Sequence, residues 1–410
     1  MIKLCDKDNC TGCAACMNIC PYKAIKTYRD EKGFWYPDID QSKCRSCKLC
    51  VKVCPILNKS KRYIGMQSVY ACWSKTPETR YNSSSGGLFY ELAVTVLNNG
   101  GVVCGAAFDS DFKVKHTIID RIEQLHIIQG SKYVQSDTTE IYIPLSEHLK
   151  QGRTVLCSGT PCQIDGIVAY LHSKEINCNN LYTCDLICHG CPSPAFWDKY
   201  KDSIQRKYKS RLSEFDFRYK QPGWMVFSAK AKFENEKEYI CNTNKDKFLR
   251  AFLYDYIIRE NCQRCPYTNT NRVSDITMAD FWGYQDNEEY SDDDKGISLA
   301  IVNTEKGRWL FEETKSNMVF IEKTLQEAVN GNRSLSKPWP ANPNTDLFWK
   351  DYFSKGYRYV CWKYLKPVKQ SNWKNKWRAF KYDLKILPNR VLLTILGKDN
   401  YNRLKDKLKR

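Results

Sequence analysis

The sequence predicts a mixed α/β protein, with α+β character, made of a small cysteine-rich domain, a larger layered domain and a basic helical tail. Three observations support this prediction. Cysteines recur in a repeated pattern before residue 60, strand-like and helix-like stretches alternate over 66–340, and positive charge and aromatic residues are concentrated after 345. We therefore expect domains at 1–60, 66–340 and 345–410.

The composition is that of a folded protein with unpaired cysteines. Of 410 residues, 42% are hydrophobic and 27% are charged, which is enough apolar surface for a core and excludes wholesale disorder. The 21 cysteines are an odd number and do not fit a closed disulfide framework. The first residues contain no apolar leader, and no run approaches the ~18 apolar residues of a membrane span. We expect a cytoplasmic protein whose thiols are reduced or bound to metal.

The first domain contains an internal repeat, in which CTGCAACMNICP at 10–21 recurs as CRSCKLCVKVCP at 44–55. Three cysteines at three-residue steps can surround one cubane, and the fourth, before proline, reaches the other cluster. This pattern predicts a ferredoxin-type domain with two [4Fe–4S] clusters. The alternative is zinc, although structural zinc sites usually use two ligand pairs separated by a long gap. The predicted ligands are Cys10, Cys13, Cys16 and Cys54 for the first cluster and Cys44, Cys47, Cys50 and Cys20 for the second.

The middle domain alternates strands and helices. VYACW, GGVVCGAAFD and TVLCSG are strand-like, whereas GLFYELAVTVLNN and PCQIDGIVAYLHSK are helix-like. This βαβ rhythm favours a layered α/β domain with some parallel strand pairing, and residues 211–242 have a more antiparallel pattern. SSSGG at 83–87 precedes a helix, where hydroxyls and backbone amides suit a phosphate. The alternative for this segment is an ordinary serine-capped helix start.

Further cysteines follow the predicted strands of this domain. Cys162 lies at a strand-to-helix turn and Cys188 follows the next strand. The carboxyl ends of neighbouring parallel strands form the crevice in which open α/β sheets bind ligands. The predicted ligands of a third [4Fe–4S] cluster are Cys162, Cys188, Cys262 and Cys265. Zinc on the same four thiolates is an alternative to this cluster, and Cys184 or Cys191 is an alternative for one of the four ligands.

The segments SSSGG, GSKYVQS, SGTPCQIDG, DLICHGCPSP, NCQRCPY and SDITMADFWG together resemble the coenzyme F-420 hydrogenase/dehydrogenase beta-subunit family over roughly residues 66–340. The ferredoxin-type domain completes a common arrangement of that family. The resemblance implies a flavoprotein in which FAD passes electrons between a hydride carrier and iron–sulfur clusters, with coenzyme F-420 as a candidate substrate. The implied flavin-site residues are Ser85, Gly86, Gly87, Lys132, Thr160, Gln163 and Asp280.

Two residues in these segments are candidates for a catalytic role. Lys132 could stabilise an anionic reduced flavin or a phosphate, and its alternative is a solvated surface lysine. His189 could line the flavin site as a proton donor, and its alternative is a structural histidine.

The tail carries most of the positive charge. From Lys355 to Arg410, 17 Lys and Arg residues face three Asp residues, so this segment contributes +14 to a net charge of +18. Interleaved aromatic residues make it suited to an anionic membrane leaflet. The alternative is a helical tail that packs on the protein or on a second subunit. Because the body is nearly neutral and no RNA-recognition motif is present, we expect no nucleic-acid partner.

These features predict an iron–sulfur flavoprotein oxidoreductase. It would pass electrons between a deazaflavin-like hydride carrier or an organic substrate, FAD and [4Fe–4S] clusters. The alternative is an electron-transfer subunit that relays electrons to a separate catalytic or membrane-associated partner. A third hypothesis is a redox-responsive interaction protein without catalysis. The expected partners are a redox protein or a small-molecule hydride donor, with a homo-oligomer and peripheral contact with the inner face of the membrane as further hypotheses.

Overall fold

The structure, a computed structural model, describes residues 2–58, 65, 67–285 and 290–367. The strands of this part are β1 (Ile25–Arg29), β2 (Trp35–Ile39), β3 (Ser68–Ser74), β4 (Val102–Phe108), β5 (Val114–Ile119), β6 (Val155–Gly159), β7 (Leu181–Leu186), β8 (Leu212–Tyr219), β9 (Ser228–Phe233), β10 (Glu238–Asn242), β11 (Ile276–Asp280), β12 (Ser298–Val302) and β13 (Met318–Lys323).

The helices of the same residues are α1 (Ala15–Asn18), α2 (Leu49–Lys52), α3 (Pro77–Asn82), α4 (Leu88–Asn98), α5 (Leu125–Ile128), α6 (Tyr142–Lys150), α7 (Pro161–Ser173), α8 (Pro194–Tyr208), α9 (Lys247–Leu253), α10 (Glu305–Thr314), α11 (Leu325–Gly331), α12 (Thr345–Lys355) and α13 (Tyr357–Lys363). Short 3₁₀ turns lie at Ile122–Gln124, Glu260–Arg264, Lys315–Asn317 and Arg333–Leu335. In this part of the chain, no helix is long and apolar enough to cross a bilayer.

A mixed sheet organises the middle of the chain. Among the described residues, eight strands form it in the order β13-β3-β12-β11-β7-β6-β4-β5. Strands β4, β6, β7 and β11 are parallel neighbours, and the outer pairs are antiparallel. The predicted mixed α/β class is therefore confirmed. Strands β8, β9 and β10 form a separate antiparallel sheet, in the segment whose pattern is antiparallel.

Alternating side chains of the parallel strands divide the core between two helical layers. In β4, Val103 packs with α4 and α10, whereas its neighbour Val102 packs with α6 and α7. This alternation follows from the period of two in a strand. Helix α7 begins at Pro161 and carries a capping box between Thr160 and Gln163. The strands β6, β7 and β11 thus end at the same edge of the sheet, next to the first turn of α7.

The cysteine-rich domain packs directly on α7. It consists of the β1–β2 hairpin and the short helices α1 and α2. Ala15 of α1 and Ile19, the residue after this helix, lie in one apolar cluster with Ile164 and Ile167 of α7. The carbonyl oxygen of Cys13 accepts hydrogen bonds from the Thr138 hydroxyl, at 3.0 Å, and from the Tyr142 hydroxyl.

The last described helices belong to a second, strongly aromatic core. Phe348 and Tyr352 of α12 pack against Phe196 of α8 with ring centroids 5.8 and 5.9 Å apart. Residues up to Leu365 form one compact unit, which includes the first part of the segment that we expected to be a tail. The strongly basic remainder at 368–410 lies outside the described residues, so its predicted contact with a membrane or with a second copy stays a prediction.

We predict that Gly166→Ala destabilises the packing of the cysteine-rich domain. A Cβ atom on Gly166 would lie 2.8 Å from both Cβ and Sγ of Cys13. In an isolated helix this change would stabilise by about 1 kcal/mol, but crowding a packed contact typically costs about 1–3 kcal/mol. We therefore expect a lower urea-unfolding midpoint and faster proteolysis of the first 58 residues.

The control is His172→Ala on the exposed end of the same helix. This change should leave both readouts at or above those of the unaltered protein, because it adds helix propensity without touching the cysteine-rich domain. A Gly166→Ala variant as stable as this control would show that the contact with Cys13 adapts without cost.

Candidate metal centres

The two copies of the cysteine repeat share one backbone conformation. Gly12 and Ala14 in the first copy, and Ser46 and Lys48 at the equivalent positions of the second, all have positive φ values between 54° and 71°. Residues with side chains adopt this left-handed conformation only at a cost. Alternating such residues turns successive backbone amides and thiols toward one centre, so both copies form concave loops.

Each concave loop lines a cavity that the other copy completes. The first cavity contains Cys54, the last cysteine of the second copy, and the second contains Cys20, the last cysteine of the first copy. Cys50 lines both cavities, so the two lie side by side. The structure therefore brings together the two groups that the repeat predicts. These groups are Cys10, Cys13, Cys16 and Cys54 in one cavity and Cys20, Cys44, Cys47 and Cys50 in the other.

The two cavities differ in their surroundings. Cys10 and Cys13 are each only 9% exposed, whereas Cys47 is open to solvent. Burial, together with the neighbouring thiols of Cys10 and Cys54, raises the pKa of Cys13 to about 12. The second cavity is also lined by the basic residues Arg45 and Lys48. The first group is thus the inner one and the second the outer one.

A third group of thiols forms at the edge where the parallel strands end. Cys162 lies in the first turn of α7, and the loop after β7 carries Cys188 and Cys191. Burial raises the pKa of Cys262 well above its usual value, and Cys191, Cys188, Cys162 and Cys265 add to the rise, so these thiols lie within electrostatic reach of one another. The structure thus brings together the four predicted ligands and also places Cys191 among them.

The alternative ligand Cys184 lies elsewhere. It is fully buried within β7, in the apolar layer beneath α4 and α10. Residues two apart in a strand share a face, and this face of β7 packs against the helices rather than pointing to the end of the strand. The thiol of Cys184 is therefore a core side chain.

Three buried polar contacts hold the Cys262–Cys265 loop beside the other thiols. Arg272 forms a fully buried ion pair with Asp185 of β7 at 3.0 Å and donates to the Tyr267 carbonyl at 2.9 Å. The Tyr267 hydroxyl in turn donates to Asp165 of α7 at 2.7 Å. Breaking one partner of a buried ion pair is strongly destabilising, so this loop is fixed against the two elements that carry Cys162 and Cys188.

The segments assigned to flavin binding converge near the same sheet edge. The Ser131 amide donates to the Ser84 hydroxyl at 2.7 Å, which ties GSKYVQS to SSSGG. Arg218 of β8 donates to the Ser84 carbonyl at 3.1 Å and forms an ion pair with Asp280 at 3.0 Å. Asp280 also accepts a hydrogen bond from the Trp224 indole at 2.7 Å. Arg218 also donates to the Tyr133 hydroxyl at 3.4 Å, so it connects the segments SSSGG, GSKYVQS and SDITMADFWG.

The residues of SSSGG mainly bond within the protein. The Ser85 hydroxyl donates to the Ile297 carbonyl at 2.8 Å, and the Gly86 amide donates to the Ser298 hydroxyl at 2.9 Å. A Cβ atom on Gly86 would lie 2.4 Å from the Cys72 carbonyl oxygen, so this glycine allows the loop to lie against the sheet. Gly87 begins α4 with φ of 97°, a left-handed conformation that favours glycine.

Lys132 is neither solvated nor free. Its Nζ atom donates to the carbonyl oxygens of Ile127, Gln129 and Gly130 at 2.7 to 3.2 Å. Burial lowers the pKa of Lys132 to about 7. All three of its donors are therefore used to close the 127–130 turn, which is a structural task that the sequence did not indicate.

Thr160 and Gln163 shape the first turn of α7. Gln163 Oε1 accepts hydrogen bonds from the amide and the hydroxyl of Thr160, each at 3.0 Å, and Gln163 Nε2 donates to the Ser136 carbonyl at 3.2 Å. The Thr160 hydroxyl also lies 3.2 Å from Sγ of Cys162. These residues thus orient a member of the third thiol group.

His189 lies immediately after Cys188 and is held by its own partners. Its Nε2 atom is 2.8 Å from Oδ1 of Asp255, and its ring centroid lies 4.6 Å from that of Trp339. This environment fits a positioned histidine beside the third thiol group. Its predicted role as a proton donor stays a prediction.

Sequence reasoning missed three buried basic side chains at these sites. Arg218 and Lys220 alternate with aromatic residues in FDFRYK, and Lys220 donates to the carbonyls of Arg80, Ser85 and Lys295. Arg259 lies between the first and third thiol groups. For Arg218 and Lys220 the sequence did contain a signal. A strand rich in aromatic residues is expected to be buried, so a basic residue within it is expected to be buried as well.

Comparisons with known proteins agree with this arrangement. Two family models of the coenzyme F420 hydrogenase/dehydrogenase beta subunit match the chain. The model of its amino-terminal region matches residues 69–142, and the model of its carboxyl-terminal region matches residues 152–328. Residues 9–57, which contain both cavities, match the model "4Fe-4S dicluster domain". Curated protein sequences gave no match.

One similar solved chain comes from "Xenon derivatization of the F420-reducing [NiFe] hydrogenase complex from Methanosarcina barkeri". The two chains are 16% identical with a TM-score of 0.43, and the match covers 72% of this chain and 94% of the other. The two beta-subunit matches together span most of the central sheet. The chain therefore belongs to the coenzyme F420 hydrogenase/dehydrogenase beta-subunit family and carries an amino-terminal 4Fe–4S dicluster domain.

Proposed function

We propose that this chain is an iron–sulfur flavoprotein oxidoreductase that passes electrons between a hydride carrier, a bound flavin and three [4Fe–4S] clusters. The observation that carries the proposal is the continuous series of thiol groups. Cys50 lines both cavities of the dicluster domain, and Cys13 of the inner cavity contacts Gly166. Gly166 is about 6 Å along α7 from Cys162, which belongs to the third group. Electrons could thus pass from group to group without a gap.

The third thiol group fits a cubane. Iron–sulfur cubanes are held by thiolates, and all members of this group are cysteines on three separately anchored segments. We propose Cys162, Cys188, Cys262 and Cys265 as the ligands, with Cys191 as a fifth thiol beside them. Four thiolates suit zinc equally well, but the contact with the inner cavity of the dicluster domain favours an electron-carrying cluster.

The crevice around Arg218 has features that suit a flavin. The Nε atom of Arg218 is buried and has no hydrogen-bond partner among the described residues, so the site holds an unused cationic donor. Trp224 and Trp282 stack at 4.7 Å beside it and supply an aromatic wall. Lys132, by contrast, has no donor left to offer. A bound flavin accepts a hydride and releases electrons singly, which would couple a two-electron carrier to one-electron clusters.

Asp280 and two segments of the third thiol group follow strands that end at the same edge of the sheet. Asp280 ends β11, while Cys188 and Cys162 follow β7 and β6, and these three strands are parallel neighbours. The Asp280 carboxylate is held by Arg218 and Trp224. We propose that this carboxylate positions the Arg218 guanidinium toward the flavin, whose electrons would then enter the third cluster.

The family name supports coenzyme F-420 as the hydride carrier. A second candidate function, an electron relay for another protein, is favoured by the exposure of Cys47 beside Arg45 and Lys48. The two functions differ in what reduces the chain. The predicted cytoplasmic location, homo-oligomer and membrane contact stay predictions.

We expect reduced coenzyme F-420 to reduce the isolated, fully loaded protein. Hydride transfer to the flavin and electron release to the clusters would bleach the visible absorption of the flavin and then of the clusters, in an anaerobic stopped-flow experiment. Dithionite serves as the positive control. Reduction by dithionite but not by reduced coenzyme F-420 would support the relay function instead.

Removing one thiol of the third group should remove one cluster. We expect about 12 irons per chain after anaerobic reconstitution, as three cubanes require, and about 8 in Cys262→Ser. Elemental analysis and acid-labile sulfide measure both values. The matched control is Cys178→Ser, a half-buried thiol whose Sγ instead lies 3.3 Å from the Ile176 carbonyl. Equal iron in both variants, or zinc in the unaltered protein, would contradict a third cluster.

Arg218→Gln should release the flavin and leave the clusters in place. Losing a hydrogen bond to a charged group costs about 1.5–3 kcal/mol, so we expect flavin to bind roughly 10- to 100-fold more weakly in equilibrium dialysis. The matched control is Arg250→Gln, because Arg250 is also buried with an unpartnered Nε atom but lies in α9. Unchanged flavin affinity in Arg218→Gln, or equal loss in the control, would place the flavin elsewhere.

A further inference from the structure

A buried arginine lies between the dicluster domain and the third thiol group. Arg259 is 1% exposed, and its guanidinium carbon lies 4.0 Å from the ring centroid of Tyr36. Its Nε atom donates to the Cys10 carbonyl at 3.1 Å, and its own amide donates to the Cys191 carbonyl at 2.9 Å. The residue thus bonds to Cys10 of the first thiol group and to Cys191, the fifth thiol beside the third group.

The guanidinium has donors that the protein does not use. Within the described part of the chain, Nη1 and Nη2 of Arg259 have no hydrogen-bond partner, although both are buried. A buried unsatisfied donor typically costs about 1–3 kcal/mol, and more when it is charged. The adjacent acidic residue, Glu260, pairs with Lys32 at 2.8 Å and does not neutralise it. The Cys10 thiol lies close enough to bond to the guanidinium, and cluster sulfur held at that thiol would satisfy this cation.

At least one of these donors lies beside the loop of the first thiol group. Nη1 lies 3.3 Å from the position of a Cβ atom on Gly12, in the loop between Cys10 and Cys13. Burial raises the pKa of Cys10, and the Arg259 guanidinium opposes this rise. The guanidinium has the same opposing effect on the thiols of Cys162 and Cys191. Arg259 is therefore within electrostatic reach of the inner cavity and of the third group together.

We propose that Arg259 is a shared positioning residue for two clusters, donating its free N–H groups to sulfur atoms of the cluster at Cys10 and of the cluster at Cys162. This inference rests on the proposed clusters. Hydrogen bonds to cluster sulfur and a nearby positive charge stabilise the more negative, reduced state. Arg259 therefore raises the reduction potentials of both clusters, so that the two potentials stay similar. The outer cluster at Cys47 is too far from Arg259 to be affected.

The test is a potentiometric titration followed by EPR on the full, reconstituted chain. In Arg259→Met we expect one-electron reduction of the clusters at Cys10 and Cys162 to become at least tenfold less favourable, a fall of about 59 mV in potential, while the outer cluster at Cys47 keeps its potential. Arg259→Lys, which retains the charge but loses the fork, should fall in between. The control is Arg250→Gln, whose three potentials should equal those of the unaltered protein.

Iron and sulfide content separate this inference from the proposed function. An unaltered protein that cannot be loaded with clusters contradicts the function, whereas fully loaded variants with unchanged potentials contradict only the role of Arg259. Equal shifts of all three clusters would also overturn it, since a general loosening of the fold acts everywhere.

A second measurement tests the inference even if the Arg259 variants fail to take up their clusters. In unaltered protein labelled with ¹⁵N-arginine, pulsed EPR of the reduced clusters should show ¹⁵N hyperfine couplings that persist in Arg45→Gln, which removes the arginine of the outer cavity. Absence of any coupling in Arg45→Gln would overturn the inference without requiring a change at Arg259.

Discussion

The close contact between Gly166 and Cys13 is the constraint on which the rest of the redox architecture depends. Because Gly166 has no side chain, the inner cysteine loop lies directly on α7, and the hydroxyls of Thr138 and Tyr142 fix its carbonyl there. The first turn of the same helix carries Cys162. One helix therefore sets the separation of two thiol groups, and electron transfer between cofactors weakens steeply with separation. The position of Arg259 between those sites follows from the same contact.

The buried basic residues of the crevice have two different tasks. Lys132 and Lys220 each donate to three carbonyl oxygens and close turns around the SSSGG and GSKYVQS segments. A compact ammonium with three donors can be satisfied in this way, whereas a planar guanidinium presents five donors in a fixed fork. Among the described residues, Arg218 and Arg259 accordingly retain buried N–H groups without protein partners. The two lysines thus stabilise the loops around the sites, whereas the two arginines keep N–H groups that could bond to a ligand.

The sequence predicted those features that depend on local spacing. The cysteine repeat, the mixed α/β class and the strand-end positions of Cys162 and Cys188 can each be inferred from a few neighbouring residues. The role of Arg259 could not be inferred, because Arg259 bonds to Cys10, which is 249 residues away in the chain. The carbonyls that Lys132 bonds to are only two to five residues away, but they converge on its ammonium group only in the folded turn. The packing of α12 and α13 was hidden for the same reason, since their aromatic residues have the composition of a surface segment but pack against α8.

The crossed completion of the two cavities also orders events during synthesis. Among the described residues, the outer cavity contains no cysteine beyond Cys50, whereas the inner cavity requires Cys54. As the chain leaves the ribosome, all thiols of the outer cavity emerge before the last thiol of the inner one, although the inner triplet is made first. The third group is complete only after Cys265, about 200 residues later. An assembly factor that meets the nascent chain therefore encounters the outermost site of the finished protein as its first complete set of ligands.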